Sequence, residues 1–153
     1  MTPAELREEI EYELGQIRET VEELQSLRQD VAGRQPTVRE KMAASAFLAQ
    51  LYNGVENILK RISYYNSIPL PTGEAWHIDL FKRFCDPPFK TLPVLFDDAL
   101  ALPMSGLRKF RHVVHHGYGF QLEWERLEEG IDRVGEVVSA FETAVSNYLE
   151  RLD

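Results

Sequence analysis

The sequence predicts an all-α protein, an antiparallel helical bundle of about four to five helices. Three observations predict it. Apolar residues recur at steps of three and four over three long segments, the period of one helix face. Two of those segments open on a helix-start pattern, and prolines and glycines punctuate the spaces between segments. No segment alternates apolar and polar residues with the period of a half-buried strand.

The first helix starts at T-P-A-E. Thr2 suits the N-cap, Pro3 the first helical position, and Glu5 completes a capping box. Ile10, Leu14, Ile17, Val21, Leu24 and Val31 form its apolar stripe, and G-R-Q-P at 33–36 ends it. Its other face is rich in glutamate, E-L-R-E-E-I-E-Y-E, and reads as a solvated surface rather than a dock for a basic partner. The second helix opens on T-V-R-E, with Thr37 and Glu40 as a second capping box. Leu48, Leu51, Val55, Ile58, Ile62 and Tyr65 mark its inner face. N-S-I-P-L-P-T-G at 66–73 is a loop.

A short amphipathic helix is expected from Glu74 to Phe84, stopped by D-P-P at 86–88. Residues 91–116 read as helical again, broken or kinked near Pro103 and Gly106. The last helix is the most regular, with Trp124, Leu127, Ile131, Val134, Val138, Phe141, Val145, Tyr148 and Leu152 on one stripe. One domain spans residues 1–153.

Composition narrows the function classes. With 44% hydrophobic and 27% charged residues, the chain has a globular rather than a disordered balance. A net charge of -8 argues against a general nucleic-acid-binding surface, so any phosphate site must be local. The single cysteine, Cys85, forms no internal disulfide, which fits a reducing compartment. The first residues lack a secretory signal, and no apolar run reaches membrane-spanning length. The expectation is a soluble cytoplasmic protein with no membrane partner.

Chemistry concentrates in Arg111 to Tyr118, R-H-V-V-H-H-G-Y. Three of the four histidines, His112, His115 and His116, lie here, and the fourth is His77. Arginine offers phosphate a planar fork of donors, and histidine exchanges protons near neutral pH. On a helix with Arg111 at zero, His115 lies at about 40°, His112 at about 100° and His116 at about 140°. Leu107, Phe110, Val113 and Val114 fill the opposite arc, so Arg111 and the histidines are expected to face outward. Arg108 and Lys109 add charge one turn earlier, and Gly117 is expected to end the helix.

Two blander readings compete. The polar arc suits a merely solvated surface. His112 and His116, four apart, also suit a shared metal, with a third ligand from His115, His77, Cys85 or a carboxylate. The glutamate of an H-E-x-x-H helix is missing, since Val113 follows His112. The expectation is therefore no metal and no cofactor. RNA carries its own nucleophile, the 2′-hydroxyl, so a phosphate clamp and a proton-transfer group suffice. Arg111 and His116 supply one each. Cleavage works best with both an acid and a base, which points to two such segments meeting across a dimer.

Arg111, four residues, His116, Gly117 and Tyr118 resemble the motif of HepT-like toxins in the HEPN superfamily. His112, the polar residue after the arginine, fits the same pattern. F-R-H-V-V-H-H-G-Y-G-F-Q-L-E is similar to the family core, and Y-N-G-V-E-N-I-L-K-R-I at 52–62 and E-A-W-H-I-D-L at 74–80 are similar to flanking family segments. The resemblance covers the chain from about residue 40 onward. It implies a HEPN-like helical homodimer acting as a metal-independent endoribonuclease on tRNA or mRNA, with both motifs in one interface cleft. Arg111 would contact the scissile phosphate, His116 would transfer protons, and His112 would position the phosphate or nucleophile. His115 stands where a basic residue such as arginine is expected, so its support of phosphate binding would depend on pH. The resemblance further implies an MntA-like nucleotidyltransferase antitoxin that adds AMP to Tyr118. The alternative is a noncatalytic HEPN module that binds nucleotide or substrate for a nucleotidyltransferase.

Overall fold

The computed structural model describes residues 1–117 and 123–152. Five helices follow in chain order: α1 (Pro3–Asp30), α2 (Val38–Tyr65), α3 (Trp76–Lys82), α4 (Asp98–His116) and α5 (Trp124–Glu150). Among the described residues there is no strand, only an isolated bridge between Cys85 and Phe96. The architecture is an all-α bundle. None of its helices is long and apolar enough to cross a membrane.

Both long N-terminal helices begin as their sequences dictate. Thr2 Oγ1 accepts from Glu5 N while the Glu5 carboxylate accepts from Thr2 N, at 3.1 and 2.8 Å. Thr37 and Glu40 repeat the arrangement with the same two distances. Each box satisfies amide groups that a helix start leaves open. Arg34 also forks onto the Glu40 carboxylate at 2.8 and 2.6 Å. That hydrogen bond, then those of Thr37, holds Glu40 at about 2, well below the ordinary carboxylate value.

Ion pairs report the directions of the helices. Along α1, Arg7 donates to the Leu149 and Leu152 carbonyls, Arg18 pairs with Glu142, and Arg28 pairs with Asp132. Numbers rise in α1 as they fall in α5, so the two are antiparallel. Arg61 near the end of α2 meets Glu9 and Glu13 near the start of α1, making that pair antiparallel too. Glu13 is buried, and Arg61 at 2.9 Å and Asn57 at 3.4 Å compensate its lost hydration.

α2 is the central helix, packed against all four others. Its predicted stripe is buried except for the half-buried Tyr65, and so is a second row through Tyr52, Glu56, Leu59 and Ser63. The core also holds Ile10, Ile17 and Leu24 from α1, Phe84 and Phe96 from the connections, and Leu127, Val134 and Phe141 from α5.

One expectation needs correction. Residues 91–97 are not helical, and α4 begins at Asp98. Pro93 restricts the residue before it, and the extended chain instead docks its Leu95 and Phe96 amides on the Phe84 carbonyl at 2.9 and 3.0 Å. Asp97 then caps α4 by accepting from Leu100 N at 2.9 Å. α4 runs unbroken through Pro103 and Gly106, although Pro103 has no N–H for the Ala99 carbonyl.

α1 and α2 cross closely at Gly54. A methyl group there would lie 2.7 Å from Cγ1 of Ile17, which is itself fully buried. Gly54→Ala is therefore expected to lower stability by about 1–3 kcal/mol through overpacking, despite the higher helix propensity of alanine. Thermal unfolding checks this, and a raised Tm in the variant would show that the crossing has room to spare.

Candidate functional site

α4 lies between α2 and α5, and its 3.6-residue period decides which side chains meet which neighbour. Leu100, Met104 and Leu107 are buried in one row, and the next step of that row is Arg111. Arg111 is consequently half-buried against α2 and α3 rather than displayed to solvent. Its Nε donates to Asn53 Oδ1 at 2.7 Å, and its Nη1 lies 3.4 Å from His77 Nε2. This corrects the outward arc read from the sequence. The opposite arc differs too. Leu107 is buried, Phe110 and Val114 are half-buried, and Val113 is 40% exposed. Leu102, Pro103, Phe110 and Val113 instead line an open groove of about 410 Å³ against Gly130 and Val137 of α5, away from the Asn53–Arg111 contact.

Of the anchors of Arg111, Asn53 and Glu56 were not singled out in the sequence, and His77 entered only as a possible third metal ligand. Asn53 and Glu56 sit three apart on α2 and so share a face. Glu56 is buried, and its Oε2 lies 2.6 Å from His77 Nδ1 on α3. The Trp76 ring lies 3.5 Å from the His77 ring, and Lys60 Nζ sits 4.8 Å over Trp76. A connected set thus runs Asn53–Arg111–His77–Glu56 across three helices. Beneath it, the Tyr52 hydroxyl is buried without a hydrogen-bond partner among the described residues. Desolvation, then the Glu56 charge, pushes its pKa up, so it stays a neutral phenol. The signal for Glu56 was available. A charged residue four after Tyr52 and three before Leu59 interrupts an apolar row, and such a residue needs a partner.

The three motif histidines are exposed. The His112 and His116 rings lie 4.5 Å apart at 44°, one helical turn from each other. His115 is held below the ordinary imidazole value, first by desolvation and then by the charges of Arg111, His116 and His77. Among the described residues, no group of three or more His, Cys, Asp or Glu side chains is arranged to hold a metal. Gly117 ends α4 in an extended conformation, and Tyr118 lies outside the described residues.

Chemically, the arrangement presents an arginine held by an amide oxygen and an imidazole nitrogen, with an imidazole cluster on the same helix. Such residues are chemically suited to holding an anion and exchanging protons. A family model described as HepT-like protein matches residues 43–152. The chain belongs to the HepT-like family. This places it in the HEPN superfamily. No curated protein and no solved structure matched it. The family match spans α2 to α5 and so takes in every member of the HepT-like chain's Arg111 site.

The depression at His115 yields an expected outcome. Arg111→Ala removes one of its causes, so the His115 midpoint in an NMR titration is expected to rise, while the desolvation part persists. Because the folded value lies below the unfolded one, the linked stability is present above the unfolded value. It is lost as pH falls toward the folded value. An unmoved His115 midpoint in Arg111→Ala would place the guanidinium charge too far away to matter.

Proposed function

We propose that this HepT-like protein is a toxin that cleaves RNA in the cytoplasm without a metal and is silenced by a nucleotidyltransferase antitoxin. The observation that carries the reading is Arg111, fixed through Nε and Nη1 and one helical turn from His115, on a helix that ends with His116. Family membership supports the same reading.

In the proposed reaction the RNA 2′-hydroxyl attacks the adjacent phosphorus and the bond to the 5′-oxygen breaks. The products are a 2′,3′-cyclic phosphate and a 5′-hydroxyl. Arg111 neutralises charge building on the phosphate oxygens, and His116 transfers a proton. His112 and His115 support the phosphate. A homodimer brings two copies of the motif to one cleft, giving both an acid and a base. The exposed Leu102 and Val113 on α4 supply apolar surface for such an association.

Arg111→Ala and His116→Ala are each expected to lower RNA cleavage by at least about a hundredfold with helicity retained. Excess chelator is expected to leave the wild-type rate unchanged. Activity lost to chelator and restored by zinc would point instead to a metal shared by His112 and His116. A monomer by solution scattering that still cleaves RNA would rule out the shared cleft. RNA binding without cleavage by the wild-type protein would favour the noncatalytic module.

Silencing is proposed to occur by AMP transfer. The Tyr118 oxygen attacks the α-phosphorus of ATP and pyrophosphate leaves. The added phosphate would occupy Arg111 in place of RNA. Tyr118→Phe keeps the ring but removes the acceptor oxygen. This variant is expected to gain no AMP mass on incubation with ATP and the antitoxin, and to escape silencing. An adduct as abundant as on wild type would move the acceptor elsewhere.

A further inference from the structure

We propose that the pair of buried Glu56 and half-buried His77 is a positioning device for Arg111, holding the guanidinium in place for a phosphate ligand without neutralising it. The proposal rests on the reading that Arg111 binds RNA phosphate.

Hydrogen-bond chemistry fixes the direction of the chain. Glu56 Oε2 lies 2.6 Å from His77 Nδ1, and a carboxylate there accepts, so Nδ1 carries the proton. On the far side Nε2 faces Arg111 Nη1 at 3.4 Å, and a guanidinium only donates. Nε2 must therefore present its lone pair. Donation runs from Arg111 to His77 to Glu56. The opposite tautomer would set Nε2–H against Nη1–H. Glu56 selects the productive one, as an acceptor behind a functional imidazole commonly does. Trp76 against the His77 ring and Lys60 over Trp76 restrain the ring itself.

The charge arrangement gives the pair its purpose. Arg111 is held by Asn53 Oδ1 and His77 Nε2, and no carboxylate contacts it among the described residues. A carboxylate in direct contact would form a charge-assisted pair and compete with phosphate for the same fork. Interposing His77 lets Glu56 orient Arg111 at one remove. Nη2 makes no hydrogen bond among the described residues, leaving an edge of the fork for a ligand. The Glu56 side chain is 4% exposed within an apolar row, so its carboxylate needs the partner that His77 supplies.

The test compares His77→Gln, whose amide both donates and accepts, with His77→Leu, which does neither. The probe is a 2′-O-methyl RNA oligonucleotide, which lacks the attacking hydroxyl and stays intact. His77→Leu is expected to bind it about tenfold more weakly, and His77→Gln within about threefold of wild type. Water exchange of the Arg111 Nε–H is expected to quicken in the Leu variant alone. Nitrogen NMR of the unmutated protein is expected to show His77 protonated on Nδ1. Protonation on Nε2 instead would overturn the proposal, and this measurement needs no variant to fold. So would folded Leu and Gln variants that bind alike, whether both strong or both weak. If wild type binds no RNA, the ribonuclease reading fails, while the tautomer and the Arg111 exchange rate still decide the positioning role.

Discussion

The crossing of α1 over α2 at Gly54 sets the geometry on which the rest of the molecule depends. The absence of a side chain lets Ile17 pack onto the backbone of α2. α2 then sits deep enough to be covered by α1, α3, α4 and α5 together. A helix covered so fully must bury more than one face, and this is why Tyr52, Glu56 and Ser63 are buried beside the expected leucines and isoleucines. The adjacent positions, Asn53 and Glu56, are the ones that reach Arg111 directly or through His77. Core packing and site geometry therefore share one helix.

Electrostatics explains how an acidic protein keeps a usable cation. The chain carries a net charge of -8, and most arginines named in the bundle pair with carboxylates: Arg18, Arg28, Arg34 and Arg61. Arg111 does not. Its partners are an amide oxygen and an imidazole nitrogen. Exposed ion pairs contribute little and are screened by salt, so the surface pairs chiefly set helix direction. The half-buried arginine keeps its charge unpaired in a less polar setting, where attraction for an anion is stronger.

Much of this was legible in the sequence, for local reasons. Capping boxes at Thr2 and Thr37 depend on residues three apart, and the apolar stripes on steps of three and four. Both survive folding because tertiary contacts agree with them. The segment 91–97 was misread because Leu92, Val94, Leu95 and Phe96 look like the start of an apolar helix face. Pro93 and the capping Asp97 carried the correct signal, and the Phe84 carbonyl that takes the Leu95 and Phe96 amides is a tertiary partner. At the site, Arg111 and its histidines stood out by density. The anchors did not, because His77 and Asn53 lie 34 and 58 residues away from Arg111. A single-helix projection does set Leu100, Met104 and Leu107 within about 40° of Arg111, but it does not show that this row meets a neighbouring helix there.

α3 carries a consequence of its own. It is seven residues long, and its N-cap Ala75 offers no side-chain bond to the open amides. So short a helix persists through its docking, by Leu80 and Phe81 in the core and Trp76 and His77 against α2. Segments held in this way open at lower free energy than the long helices around them. Undocking α3 would withdraw His77 while leaving Asn53 and the bundle in place. The setting of Arg111 thus depends on how firmly this one short helix is docked. A substitution that loosens α3 would reach Arg111 through His77, while the contact of Asn53 with Arg111 ties only α2 to α4.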